Sequence, residues 1–135
     1  MPNDKPEAVE NGWQQLTAEV IYRHQMFDLR NDRVKLPNGK EHFFTYVRKP
    51  PGVFILPVTT AGELVLIREF RYVADQWLWE IPAGGSDDFA GSDYRALAQR
   101  ELYEETGGRT AQIVSLGPVW GAAGVLDQVL YVYLA

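Results

Sequence analysis

Trp79-Glu80-Ile81-Pro82-Ala83-Gly84-Gly85, then a polar loop, then a segment closing on Arg100-Glu101-Leu102-Tyr103-Glu104-Glu105-Thr106-Gly107: the reading of this chain turns on that stretch. A short apolar strand runs into a Pro/Gly break, and the segment beyond it reads as a helix. Ser92 or Asp93 can cap its start, and Gly107 and Gly108 are natural stop residues. At ~100° per residue, Glu101, Glu104 and Glu105 fall within an arc of roughly 100° on one side of that helix. They repel one another, and they sit near the negative end of the helix dipole, where anions are unfavourable. One reading is a solvated acidic face, since glutamate is a good helix former. The other is a hard divalent cation, Mg²⁺ or Mn²⁺, held by oxygen ligands and offsetting both penalties.

The order of the residues adds to this. Arg-Glu-Leu-Tyr-Glu-Glu-Thr-Gly, preceded by Trp-Glu-Ile-Pro-Ala-Gly, resembles the signature of the Nudix hydrolases. The approach through Pro-Ala-Gly is most similar to the ADP-ribose pyrophosphatase and nucleoside diphosphate sugar hydrolase branch. The resemblance implies an α+β fold, a Nudix-like mixed β-sheet with a central catalytic helix and a small N-terminal antiparallel sheet. It implies Mg²⁺ or Mn²⁺ as cofactor, with Glu101, Glu104, Glu105 and the backbone carbonyl of Ala83 as ligands. Glu105 and Glu104 are then the catalytic carboxylates, and Arg100 is expected to pair with one of the acids and orient it. Arg71 resembles the family's substrate arginine, whose planar fork suits diphosphate oxygens. Arg68 is a second substrate-binding candidate, with ordinary surface charge as its competing reading. Glu80, alternating against Trp79 and Ile81, is expected to reach the substrate as well.

Composition bounds the alternatives. The chain has 135 residues, 46% of them hydrophobic, which is enough for one folded domain with a small appended sheet. A net charge of -5 argues against nonspecific nucleic-acid binding, and means that an anionic substrate needs a cation or local arginines. With no cysteine there is neither a disulfide framework nor a thiolate metal site. No apolar run marks a membrane span or signal peptide, so a cytoplasmic protein is the default expectation.

In chain order, residues 1–12 are polar and read as a disordered tail. Residues 13–49 read as an N-terminal antiparallel sheet, with strands over 16–22, 27–36 and 42–47 and a turn at Pro37-Asn38-Gly39-Lys40. The resemblance makes this sheet the element that pairs two subunits in a homodimer; a hairpin packed on its own domain is the competing reading. Lys49-Pro50-Pro51-Gly52 is the boundary, and residues 50–135 read as the catalytic domain. Within it, 53–58 and 64–67 read as buried strands, with further strands over 77–81, 113–120 and 128–134. Trp13, Phe44, Trp77 and Trp79 are expected in the core, and His24 and His42 have no metal-ligand spacing.

The chain departs from the family's pattern in several places. Anchored at Arg100, the pattern expects a glutamate where Ser92 stands and a glycine where Ser86 stands; anchored at Pro82-Ala83-Gly84, the loop from Gly85 to Gly91 is two residues longer than usual. Gly108 replaces an aliphatic residue. Gln128 occupies the position of a glutamate that serves relatives as base or metal ligand, which leaves Asp127 or a helix carboxylate such as Glu105 for that work. The family's C-terminal helix is expected to be absent, since the chain stops at Ala135. The leading expectation is Mg²⁺-dependent pyrophosphate hydrolysis of ADP-ribose or another nucleoside diphosphate sugar. The alternatives are a nucleotide-binding module with weak or no catalysis, and hydrolysis of another diphosphate such as a dinucleoside polyphosphate.

Overall fold

The computed structural model describes residues 5–86 and 93–135. The chain forms two compact units, Met1–Lys49 with Ala122–Asp127, and Pro50–Gly121 with Gln128–Ala135.

The first unit is a meander. Strands β1 (Gln14–His24), β2 (Phe27–Lys35) and β3 (Glu41–Arg48) pair antiparallel in that order, and a short later strand over Leu126–Asp127 adds parallel to β3. The β2–β3 turn closes through Leu36 N–H to Lys40 O at 2.7 Å, with Gly39 at positive φ. Ahead of β1, within the stretch read as a tail, lies the short helix α1 (Pro6–Glu10). Proline in a first turn suits a helix start, and the Asn11 side chain closes the other end by donating to Glu7 O at 2.8 Å.

In the second unit β4 (Gly52–Leu56) is followed by the hairpin β5 (Ile67–Arg71) and β6 (Gln76–Glu80), then by β7 (Ala83–Gly85). After α2 (Tyr94–Thr106) come β8 (Val114–Val119), the short strand β9 (Leu126–Asp127) already placed in the first unit, and β10 (Leu130–Leu134). The sheet order is β7-β4-β10-β8, with β4 and β10 parallel and the other pairs antiparallel, so the sheet is mixed. Helix α2 covers it: Leu97, Ala98 and Leu102 pack with Val53, Ile55, Ile113 and Tyr133 into one buried cluster. Tyr94 of the helix stacks on Tyr131 of β10 at 4.3 Å.

The expected buried strand over 64–67 is displaced. A Thr59–Glu63 turn occupies the chain before it, Leu64 makes only an isolated bridge to Val58, and regular pairing starts at Ile67. Leu64 and Leu66 are exposed, because a short apolar run does not by itself say whether it is covered.

The first unit holds a buried carboxylate. Asp32, on the central strand β2, is 2% exposed; its Oδ2 accepts from Tyr46 O–H at 2.9 Å and from Gln15 Nε2 at 2.8 Å. Burial raises the Tyr46 pKa well above its ordinary value, and the Asp32 carboxylate that accepts its hydrogen bond pushes the same way. Tyr46→Phe removes one donor from a buried anion and should cost about 1–3 kcal/mol in urea unfolding at neutral pH. The folded tyrosine keeps its proton where the unfolded one releases it, so this contribution falls as pH rises above about 10. The wild type should therefore lose stability there more steeply than Tyr46→Phe. Parallel pH profiles for the two proteins would contradict the assignment.

Candidate functional site

The site is built where α2 meets the edge of the mixed sheet. The helix starts at Asp93, whose side chain accepts from Arg95 N–H at 3.1 Å and Ala96 N–H at 3.0 Å; Ser92, the other expected cap, lies outside the described residues. It ends at Gly107 in the left-handed conformation, with φ 72°, donating to Tyr103 O. The Thr106 hydroxyl tightens that end, donating to Leu102 O at 2.6 Å and accepting from Gly108 N–H at 2.9 Å. A Cβ at Gly108 would stand 2.8 Å from that hydroxyl oxygen.

Strand β7 is the edge strand, pairing with β4 on one side only. On its other side Ala83 N–H donates to Glu105 Oε2 at 2.9 Å. A strand residue sends its N–H and C=O to the same side, so the Ala83 carbonyl is also turned away from β4. Glu101 lies one helical turn back and packs directly on the bare Cα of Gly84, where any Cβ would overlap its side chain. Thus Glu101 and Glu105 both sit against the Ala83-Gly84 segment. Glu104 does not: it is exposed, with Arg100 Nε 3.8 Å from its Oε1. Arg100 Nη2 also donates to Glu101 Oε1 at 3.2 Å, so this arginine links two of the three acids.

The Glu105 carboxyl titrates above its ordinary range. Loss of water around it is the main cause; the Ala83 N–H works against the shift, and the charges of Glu101 and Glu69 add to it. Glu69 was not singled out by sequence reasoning. The signal was there, because Glu69 and Arg71 alternate onto one face of β5.

That face also carries Glu80. Arg71 Nε and Nη2 donate to Glu80 Oε1 and Oε2 at 2.9 and 2.6 Å, while Nη1 donates to Glu69 Oε1 at 3.2 Å. The Arg71 fork is thus engaged by two acids, and its hydrogen bonds hold the Glu80 carboxyl below its usual range. Arg68 is elsewhere. It pairs across from Trp79 on the opposite face of the hairpin, with its guanidinium 5.3 and 5.7 Å from the Trp77 and Trp79 ring centroids. The two tryptophans, expected in the core, are 58% and 67% exposed. The period-2 pleat forces this split, since putting Glu69, Arg71 and Glu80 on one face sends Arg68, Phe70, Trp77 and Trp79 to the other.

Asp127 belongs to the first unit, where Lys5 Nζ and Arg48 Nε lie 3.6 and 3.9 Å from its Oδ2. Gln128 belongs to the second, and its Nε2 donates to Pro50 O at 2.9 Å.

Among the described residues no three His, Cys, Asp or Glu side chains gather into a metal-binding group. What α2 and β7 bring together is two carboxylates and a backbone carbonyl. This donor set is all oxygen, and the charge of Glu101 helps to push the Glu105 pKa up. It fits a hard divalent cation that keeps several waters.

Comparison with known proteins agrees with this architecture. Residues 48–135 match the NUDIX domain family. The chain is 32% identical over 120 residues to the ADP-ribose pyrophosphatase of Bacillus subtilis (strain 168), covering 89% of this chain and 64% of that protein. It is 30% identical over 126 residues to the ADP-ribose pyrophosphatase of Mycobacterium tuberculosis, covering 93% of this chain and 60% of that protein. A solved ADP compounds hydrolase matches with a TM-score of 0.73 at 25% identity, over 91% of this chain and 66% of that one. The chain therefore spans 60–64% of the length of these two curated relatives.

The Gln128 contact explains an amide at a position where the resemblance leads one to expect an acid. Gln128→Glu would turn an acceptor oxygen toward the Pro50 carbonyl, and should cost about 1–3 kcal/mol at neutral pH. The new carboxyl's folded pKa would lie above its unfolded one, so the loss grows as pH rises through that range and is regained toward about pH 4, where the protonated acid can donate. Urea unfolding at the two pH values checks this; an equal effect at both would contradict it.

Proposed function

Because the chain belongs to the Nudix family, we propose that it hydrolyses the pyrophosphate bond of ADP-ribose or a related nucleoside diphosphate sugar with Mg²⁺ or Mn²⁺, giving a nucleoside monophosphate and a sugar phosphate. The observation that carries this reading is the placement of Glu101 and Glu105 against Ala83-Gly84 at the sheet edge. The likeness to two ADP-ribose pyrophosphatases supports the substrate class.

In the reaction a water oxygen forms a bond to one phosphorus, the bond from that phosphorus to the bridging oxygen breaks, and the bridging oxygen leaves on the other phosphate. Glu101, Glu105 and the Ala83 carbonyl would hold the cation, and Glu104, now beside Arg100, would be the further ligand. When bound, the cation supplies Lewis-acid neutralisation of the diphosphate oxygens. The proton released by the attacking water goes to a carboxylate of α2, Glu105 or Glu104. Asp127 is the less favoured base, because Lys5 and Arg48 already hold it in its own unit. Arg71 binds the diphosphate or terminal ribose by exchanging its Glu69 or Glu80 contacts for substrate oxygens, and Glu80 steers it. Arg68, on the other hairpin face, lies over Trp77 and Trp79. The N-terminal sheet is read as the homodimer element; Ile21, Tyr22 and Phe43 are among its exposed apolar side chains.

One observation favours the second reading, a nucleotide-binding module with little catalysis: the Gln128 amide is tied to Pro50 and offers no base. Turnover separates the two. With a panel of nucleoside diphosphate compounds and Mg²⁺ or Mn²⁺, the enzyme should release AMP from ADP-ribose. Glu104→Gln and Glu105→Gln should each reduce turnover more than about a hundredfold. Unchanged metal-dependent rates in both variants would remove the helix from the site, and tight binding without AMP release would favour the module.

A further inference from the structure

At two glycines in the second unit an added Cβ would run into close neighbours. On β4, a Cβ added to Gly52 would stand 2.7 Å from the Gly84 carbonyl oxygen, which is backbone and cannot swing aside. On β7, a Cβ added to Gly84 would overlap the Cγ, Cδ and Oε1 atoms of Glu101. The next residue makes the contrast. Gly85, on the same strand, has nothing within 4 Å of its Cβ position. Neither Gly84 nor Gly85 has a positive φ, so backbone freedom does not account for glycine at Gly84. Space does.

What fills that space is a carboxylate that is only 14% exposed and has Arg100 on its other side. One residue back along β7, Ala83 N–H grips Glu105. The strand thus receives two like-charged side chains four residues apart on α2, one by a hydrogen bond and one by an absent side chain. Left to themselves, like charges at this spacing diverge. Held at both points, they converge.

We propose that Gly84 is a positioning residue: its bare Cα seats the Glu101 carboxylate against β7 beside Glu105 and so sets the spacing of the two acids that hold the divalent cation. This rests on the proposed function above. A methyl group at this position moves Glu101 outward, because β7 is paired with β4 and its Gly84 carbonyl already lies close to Gly52. The folded sheet remains and the cation site loosens.

The test uses the full chain and Mn²⁺ as probe, with binding followed by electron paramagnetic resonance of the free ion and thermal unfolding measured in metal-free buffer. Gly84→Ala should weaken Mn²⁺ binding by about tenfold or more, the range seen when a residue that orients a metal ligand is lost. Gly85→Ala should stay within about twofold of wild type, since its Cβ meets open space. In metal-free protein the drop in Tm caused by Gly84→Ala should largely vanish in a Glu101→Ala background, where the overlapping atoms are gone. If Gly84→Ala alone fails to fold, recovery of folding by the Gly84→Ala/Glu101→Ala pair supports the contact, and no recovery overturns it. Mn²⁺ affinity equal in wild type and Gly84→Ala overturns the inference while leaving the function intact. Absence of Mn²⁺ binding by wild type overturns the metal reading and the positioning role with it.

Discussion

The second unit depends on how closely β7 is pressed between β4 and α2. Backbone lies on backbone at Gly52 and Gly84, and a glutamate side chain lies on backbone at Gly84 and Glu101. At Gly84 the strand contributes no side chain to the contact, and only that of Glu101 stands between strand and helix. An edge strand normally presents an open row of N–H and C=O groups. Here the outward N–H of Ala83 is satisfied by a carboxylate of the helix instead of by a further strand. The same close approach brings two carboxylates and a carbonyl within reach of one point.

Such an arrangement is costly in isolation, and magnitudes show why the helix tolerates it. Anions in the last turn of a helix cost roughly 0.3–1 kcal/mol each, and like-charge pairs at this spacing roughly 0.2–0.5 kcal/mol. No basic residue occupies the last turn of α2. Burying a large aliphatic side chain contributes about 1.5–3 kcal/mol, and α2 buries Leu97 and Leu102 against Val53, Ile55, Ile113 and Tyr133. Packing on one face therefore outweighs repulsion on the other. The helix stays regular to its glycine stop with three acids on one side, two of them paired with Arg100 and one with the Ala83 N–H.

The β5–β6 hairpin follows a different rule. It has no core of its own, so the pleat alone sorts its side chains: Glu69, Arg71 and Glu80 to one face, Arg68, Phe70, Trp77 and Trp79 to the other. The polar face lies within electrostatic reach of Glu105. The aromatic face is occupied by Arg68 lying over two indole rings. Two arginines three residues apart thereby acquire different surroundings, one among acids and one among rings.

The local pattern of the chain determined the α2 boundaries through Asp93 and Gly107 and the β2–β3 turn through Asn38-Gly39, because capping and turn chemistry act over a few residues, while the mixed sheet was implied by the family resemblance. It also placed three glutamates on one arc of α2. Tertiary structure decided which two of them meet β7 and left Glu104 with Arg100, since strand-to-helix spacing is a long-range quantity. It decided that Trp77 and Trp79 are exposed, that Arg68 and Arg71 part company, that Glu69 joins the acidic face, and that the Gln128 amide is spent on Pro50. Residue type sets what a side chain can do; only the folded chain sets what stands within 3 or 4 Å of it.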